Sequence, residues 1–331
     1  MNNKIFQNDE YLQTRQRFKE YYQAQIYPQL LIHEKKRLKK LKNFIVGAMI
    51  TIAWLFIHYT MIPEEILKSQ ILGPILHFVD ILFAVVTGLP VAEYYHETKK
   101  TILQIMIKFF GDFSYGYEKK ISPEIINDSQ IMASYDKINF DDCFSGMYRE
   151  VPVMITEYGL YIKTIVEKDG YSTERYIKKF NGILFYAKMN KSFKGQTIVT
   201  KDSLLLNRFR RFKNRDKQTG TTKRLERVGL ESPSFERKFE VYSDNQIEAR
   251  YILTTVLIEH MMKLTESFPN IKFCFKNDHI LMNIEKTENM FECSSFFSTL
   301  LKYKRIEKNF NEFYELFMII DTLRLNQKHF L

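Results

Sequence analysis

Two long runs of apolar residues dominate the hydropathy pattern. Residues 44–62 read FIVGAMITIAWLFIHYTMI, without a single Asp, Glu, Lys or Arg. At about 1.5 Å per residue such a helix reaches about 28 Å, close to the ~30 Å hydrocarbon core of a bilayer. Soluble helices rarely stay apolar on every face for so long, so this pattern predicts a transmembrane helix ended by Pro63. Residues 71–92 form a second apolar run, which carries Pro74, His77, Asp80 and Pro90. A central Asp costs about 2.5–3.5 kcal/mol on insertion, against about 0.3–0.6 returned by each large apolar residue. Alone this run inserts marginally; as the second arm of a hairpin, joined through the short loop 63–70, it is expected to span, with a re-entrant or interfacial helix as the alternative.

Basic residues set the expected orientation. Lys35, Lys36, Arg37, Lys39, Lys40 and Lys42 precede the first run, Lys68 alone occupies the loop, and Lys99, Lys100 and Lys108 follow the second. Both flanks are therefore expected in the cytoplasm and the loop outside. Polar residues fill the first forty positions and the apolar run exceeds a signal peptide's, so an uncleaved anchor is expected. The basic stretch within 1–43 satisfies topology, and such a cluster also attracts anionic lipid.

After a helical connector at 93–121, in which Ile102, Ile105, Met106 and Phe109 recur at helical spacing, the period changes to two. Val151, Val153 and Ile155 alternate, and 160–166, 182–188, 197–200 and 236–242 read as further strands. Residues 190–195 look like a turn-rich connection. Ser243 and Gln246 form a capping box before one helix expected to run to about Leu264. Asn277-Asp278, between 271–275 and 279–284, signals a hairpin, and two helices, 293–304 and 306–325, are expected to finish the chain. The predicted class is α+β: a two-helix transmembrane hairpin, then a cytoplasmic α+β domain at 122–331 with a mainly antiparallel sheet and C-terminal helices.

The stretches Phe180-Asn-Gly-Ile-Leu184, Lys194-Gly-Gln-Thr-Ile-Val199, Phe235-Glu-Arg-Lys-Phe-Glu-Val-Tyr-Ser-Asp244 and Glu248-Ala-Arg-Tyr-Ile-Leu-Thr254 resemble the bacterial DUF3137 family. Its members are uncharacterised proteins with paired N-terminal spans and a cytoplasmic domain. The resemblance covers roughly residues 130–300. Thr255 stands where the family usually has Pro. The family supplies no catalytic residues to carry over. It implies location in the bacterial inner membrane and a LemA-like or other membrane-associated partner.

A net charge of +10 suits an acidic partner or anionic lipid. Nucleic acid is not expected, because no recognised nucleic-acid fold accompanies the charge. The basic run within 208–227, including Arg208, Arg210, Arg211, Lys213 and Arg215, is a candidate contact for anionic lipid or a partner protein; solvated surface or a flexible insertion is the simpler reading. Cys143, Cys274 and Cys293 have no metal-ligand or disulfide spacing, which fits a reducing compartment. There is no phosphate-binding glycine loop and no HExxH. Ser114 lies in a sequence one residue out of register for a nucleophile elbow. Glu248, Arg250 and Tyr251 read as a polar contact between helix and sheet, with peptide-terminus or phosphate binding as the functional alternative. No cofactor or catalytic residue is assigned. The sharpest constellation is His77 and Asp80, three apart on one helix face, with His58 at a similar depth in the antiparallel partner. Hydrogen bonding between the helices explains it most simply; a proton- or metal-responsive pair, or a b-type haem between the histidines, is the functional alternative. The chain thus reads as a non-enzymatic membrane-anchored module that binds a protein or an anionic lipid surface, with a membrane-bound enzyme as the alternative.

Overall fold

A computed structural model describes residues 8–168, 171–201, 213–215 and 222–325. The described residues fall into two compact units.

One unit gathers Arg15–Met106 and Glu292–Asn309. Helix α1 (Asp9–Tyr21) leads through a π-helical turn, Tyr22–Ile26, into α2 (Tyr27–Met61). Pro28 is accommodated in the first turn of α2, where a missing N–H is no loss. Helix α3 (Leu72–Ile107) passes through Pro90 without ending. The expected connector helix is thus the continuation of the second apolar run rather than a separate element. Both helices are long and apolar enough to cross a membrane by length and composition. Ile52, Phe56, Phe78 and Ile81 are 61–67% exposed, an outward apolar surface of the kind that lipid can cover.

Contacts between α2 and α3 are those of an antiparallel pair. Thr51 and Thr87 hydroxyls lie 3.1 Å apart, and a Cβ on Gly47 would meet the Thr87 hydroxyl at 3.2 Å. Small residues allow this close approach of backbones. Beyond the apolar run Lys40 pairs with Glu93 and Lys36 with Glu97, while His33 Nδ1 lies 3.1 Å from Thr98 Oγ1.

Residues 293–302 do not form the helix expected over 293–304. They follow bends and turns, because other groups claim their backbone. Arg37 Nη1 donates to the Phe296 carbonyl at 2.8 Å, and the Leu300 N–H donates to Glu34 at 3.0 Å. Ser295 and Thr299 hydroxyls accept from the N–H groups of Ser298 and Leu301. Such local bonds compete directly with a helical ladder.

The other unit, made of the described residues of Met1–Thr14, Ile107–Phe291 and Phe310–Leu331, is α+β. Its elements are β1 (Asp112–Tyr115), α4 (Pro123–Ser129), β2 (Lys137–Tyr148), β3 (Val151–Lys168), β4 (Tyr171–Lys201), β5 (Glu226–Val228), β6 (Phe239–Ser243), α5 (Gln246–Ile252), α6 (Thr255–Leu264), β7 (Lys272–Glu285) and α7 (Tyr303–Leu323). Among the described residues the pairings of this sheet are antiparallel, in the order β1-β2-β3-β4-β6-β5, with β7 also on β4. β4 is the spine. Its middle, from Gly182 to Ala187, lies between β3 and β7, and its end, from Thr197 to Val199, between β7 and β6.

Alternation along these strands buries both faces. Leu160, Leu184, Ile198 and Leu281 meet Ile121, Ile126 and Ile131 on one side. On the other, Phe313 of α7 stands 5.0 Å from Phe144 and 4.5 Å from Phe291, centroid to centroid.

Three local expectations change. Asn277-Asp278 is not a hairpin turn: β7 stays on β4 on both sides of it, and Asn277 adopts φ 53° within an irregularity in the pairing. The opposite turn signal, 190–195, lies in the same irregularity, so the two make a matched kink in one ribbon. The N-cap of α5 is Asn245, whose side chain accepts from Glu248 N–H; Ser243 instead accepts from the N–H of Asn245. The helix expected to reach Leu264 breaks at Leu253, where Thr254 caps a second helix by accepting from Leu257 N–H.

Candidate functional site

Within the hairpin the sequence places three ionisable side chains at one level, and the structure brings all three together. Near the end of α2, His58 is fully buried, and its Nδ1 lies 2.8 Å from Asp80 Oδ1. Asp80 Oδ2 lies 3.5 Å from His77 Nδ1. The two imidazole centroids are 5.4 Å apart. Trp54, one helical turn before His58, donates its indole N–H to Asp80 Oδ1 at 2.9 Å. Trp54 was missed by sequence reasoning, although its spacing of four from His58 puts it on the same face. One nitrogen of His58, Nε2, is buried without a hydrogen-bond partner.

In the α+β unit, the Glu248, Arg250 and Tyr251 group resolves differently. Glu248 accepts the N–H groups of Lys194 and Gly195 at 2.9 and 2.8 Å, and Asp244 accepts that of Gln196 at 2.8 Å. Three consecutive amides at the β4 kink are therefore bound by carboxylates of the chain itself. A phosphate or peptide carboxylate would have to displace them. Arg250 bonds back to Gln246, and Tyr251 is half exposed. This is the structural reading of that cluster.

Asp141, Asp142 and Glu157 approach one another beside a cleft of about 480 Å³ lined by Tyr117, Tyr158, Lys178 and Asn289 among others. Each buried carboxylate is engaged: Asp142 accepts from the Tyr115 hydroxyl at 2.7 Å, and Glu157 from the Met290 N–H at 3.0 Å. The neighbouring Cys143 thiol is pushed up to about 12, first by burial and then by Asp142 and Asp141. Ser114 lies on β1 and donates to the Ser145 carbonyl at 3.3 Å, so it follows the strand geometry and not that of a nucleophile elbow.

Arg208, Arg210 and Arg211 lie outside the described residues, while Lys213 and Arg215 fall on a short strand, Lys213–Arg215, paired with Thr222–Arg224. A surface that sequence reasoning overlooked is the ribbon made by 161–168 of β3 and 171–178 of β4. These segments pair with each other, Ile162 opposite Ile177 and Ile165 opposite Glu174. Ile162, Ile165, Tyr176 and Ile177 are all exposed, Ile165 to 63%. Lys163 pairs with Glu174, and Lys137 lies over the Tyr176 ring.

No curated protein matches the chain in sequence. Among solved structures, the mycobacterial trehalose monomycolate transport factor A, TtfA, aligns over 62% of this chain and 88% of its own, at 10% identity and a TM-score of 0.31, which is too slight to bear on fold or function. Residues 178–325 match the family model described as "Protein of unknown function (DUF3137)". That span begins in β4 and holds the kink, its Asp244 and Glu248 clasp and all of α7, and over it the chain is similar to the DUF3137 family.

Proposed function

We infer that this protein is a two-span inner-membrane anchor, both termini cytoplasmic, whose α+β domain docks a protein partner and is not an enzyme. The observation that carries the reading is the β3–β4 ribbon. It offers Ile162 and Ile177 on one face and Ile165 and Tyr176 on the other, all exposed. Large apolar side chains on a two-stranded ribbon with basic neighbours such as Arg175 and Lys178 suit strand addition or groove insertion against a partner. The family resemblance makes a LemA-like membrane protein the first partner to try.

A photo-crosslinking amino acid at Ile165 of the full-length protein tests this in cells. One discrete protein adduct is expected, and it should disappear in Ile162→Asp/Ile177→Asp at unchanged abundance. No protein adduct, or one indifferent to that double change, contradicts docking through the ribbon. Anionic lipid is the second reading, supported by the basic segment. Under it the full-length protein's domain binds added anionic vesicles, binding weakens between 0.1 and 1 M salt as the Debye length falls from about 10 to about 3 Å, and Arg210, Arg211, Lys213 and Arg215→Glu abolishes it.

A further inference from the structure

We propose that His58, His77 and Asp80 form a binding site for a divalent transition-metal ion between the two apolar helices. The donor set is two imidazoles and one carboxylate, a combination that suits Zn(II), Co(II), Ni(II) or Fe(II). A single carboxylate is too few for calcium or magnesium, and the absence of thiolate from the set disfavours copper(I).

Spacing supports this. An ion with bonds of about 2.0–2.1 Å in tetrahedral geometry holds neighbouring donor atoms about 3.3 Å apart. Here His58 Nδ1 and His77 Nδ1 stand 2.8 and 3.5 Å from the two oxygens of Asp80. One donor atom from each residue fits within 4.8 Å of the others. Small side-chain adjustments convert this contact set into a ligand set.

Three further features fit a metal site better than hydrogen bonding alone. First, Trp54 N–H fixes Asp80 Oδ1 from outside the triad, the outer contact that orients a ligating carboxylate. Second, the buried His58 Nε2 has no hydrogen-bond partner. The other nitrogen, Nδ1, faces Asp80, so Asp80 is the one protein group bonded to this ring among the described residues. Third, the His77 side chain is 55% exposed while His58 is closed off. Three protein ligands with one open side leave a position for water or an exchangeable ligand, and a route for the ion.

The test uses the untagged full-length protein in lipid nanodiscs, with Co(II) as the probe. Wild type should develop ligand-field absorption that saturates at one ion per chain and is displaced by Zn(II). Asp80→Asn and His77→Ala should each weaken binding by more than the about 10–100-fold typical of losing an outer contact. His77 is largely exposed, so its removal should leave the helical circular dichroism unchanged. His96→Ala, an exposed histidine of α3 outside the triad, should bind as wild type does. No saturable binding by wild type, or binding that persists in both triad variants, overturns the proposal.

Discussion

Glu248 accepts the N–H of Gly195 at 2.8 Å, tying the start of α5 to the kink of β4 across 53 residues of sequence. Two stretches of the family signature thus meet in space and explain each other. Gly195 is needed because a Cβ there would lie 2.6 Å from Asp244 Oδ1, the oxygen that accepts from Gln196 N–H. Gly195→Ala should therefore destabilise the domain by about 1–3 kcal/mol through overpacking. Glu248→Ala should cost about as much by leaving two amides without acceptors. Because both act on one clasp, the double variant should lose less than the two losses combined, measured by thermal melting.

Thr254 caps α6, and Thr255 occupies its first helical position. Thr254 has φ −63° and ψ 158°, a conformation compatible with a following proline. Pro is favoured at that position because its missing N–H has no intrahelical partner. Thr255→Pro, which restores the residue usual in the family, should raise stability by about 0.4–1 kcal/mol. A lower melting temperature would contradict the assignment of a second helix start.

Glu34 and Arg37 form a buried pair, with Arg37 Nε and Nη2 donating at 2.9 and 2.7 Å. These bonds hold the Glu34 carboxyl below its ordinary pKa against the opposing effect of burial, with the Leu300 N–H assisting. A carboxyl depressed on folding stabilises above its unfolded pKa of about 4.3 and loses that contribution as pH falls through the lower folded value. Wild type should thus lose melting temperature between pH 5 and pH 3 more steeply than Glu34→Gln. Burial also lowers His33, whose penalty enters earlier, as pH falls below about 6.5, and is common to both proteins. Equal slopes below pH 5 would contradict the pair.

Cys143, Cys274 and Cys293 are all buried and unpaired with one another. Burial pushes the Cys143 and Cys274 thiols up to about 12. The thiolate is the reacting form, so at pH 8 all three should resist a maleimide until the protein is denatured, and then react together. Rapid labelling of the native protein would refute their burial.

The legible part of this fold follows from strong periodic signals. The apolar runs at 44–62 and 71–92, the alternation through Val151, Val153 and Ile155, and the spacing of Phe310, Phe313 and Phe317 each announce their element. What was not legible depends on partners distant in sequence. Asn277-Asp278 has the composition of a turn, and only the facing kink at 190–195 makes it part of a continuous strand. Residues 293–304 have helical spacing, yet Arg37 and Glu34 capture the backbone that a helix would use. The triad was half visible: the spacing of His77 and Asp80 and the depth of His58 were readable, but Trp54 entered only once the helices were paired.

In the proposed topology the hairpin crosses the membrane twice and leaves the α+β domain in the cytoplasm. Native cysteines are buried, so single introduced cysteines report cleanly. Lys68→Cys, in the loop between the helices, and Lys263→Cys, on α6, should be compared in intact spheroplasts with a membrane-impermeant maleimide. Lys68→Cys should label at once, and Lys263→Cys only after the membrane is opened. Labelling of Lys263→Cys in intact spheroplasts, with Lys68→Cys protected, would contradict the orientation; labelling of both would contradict the spanning hairpin itself.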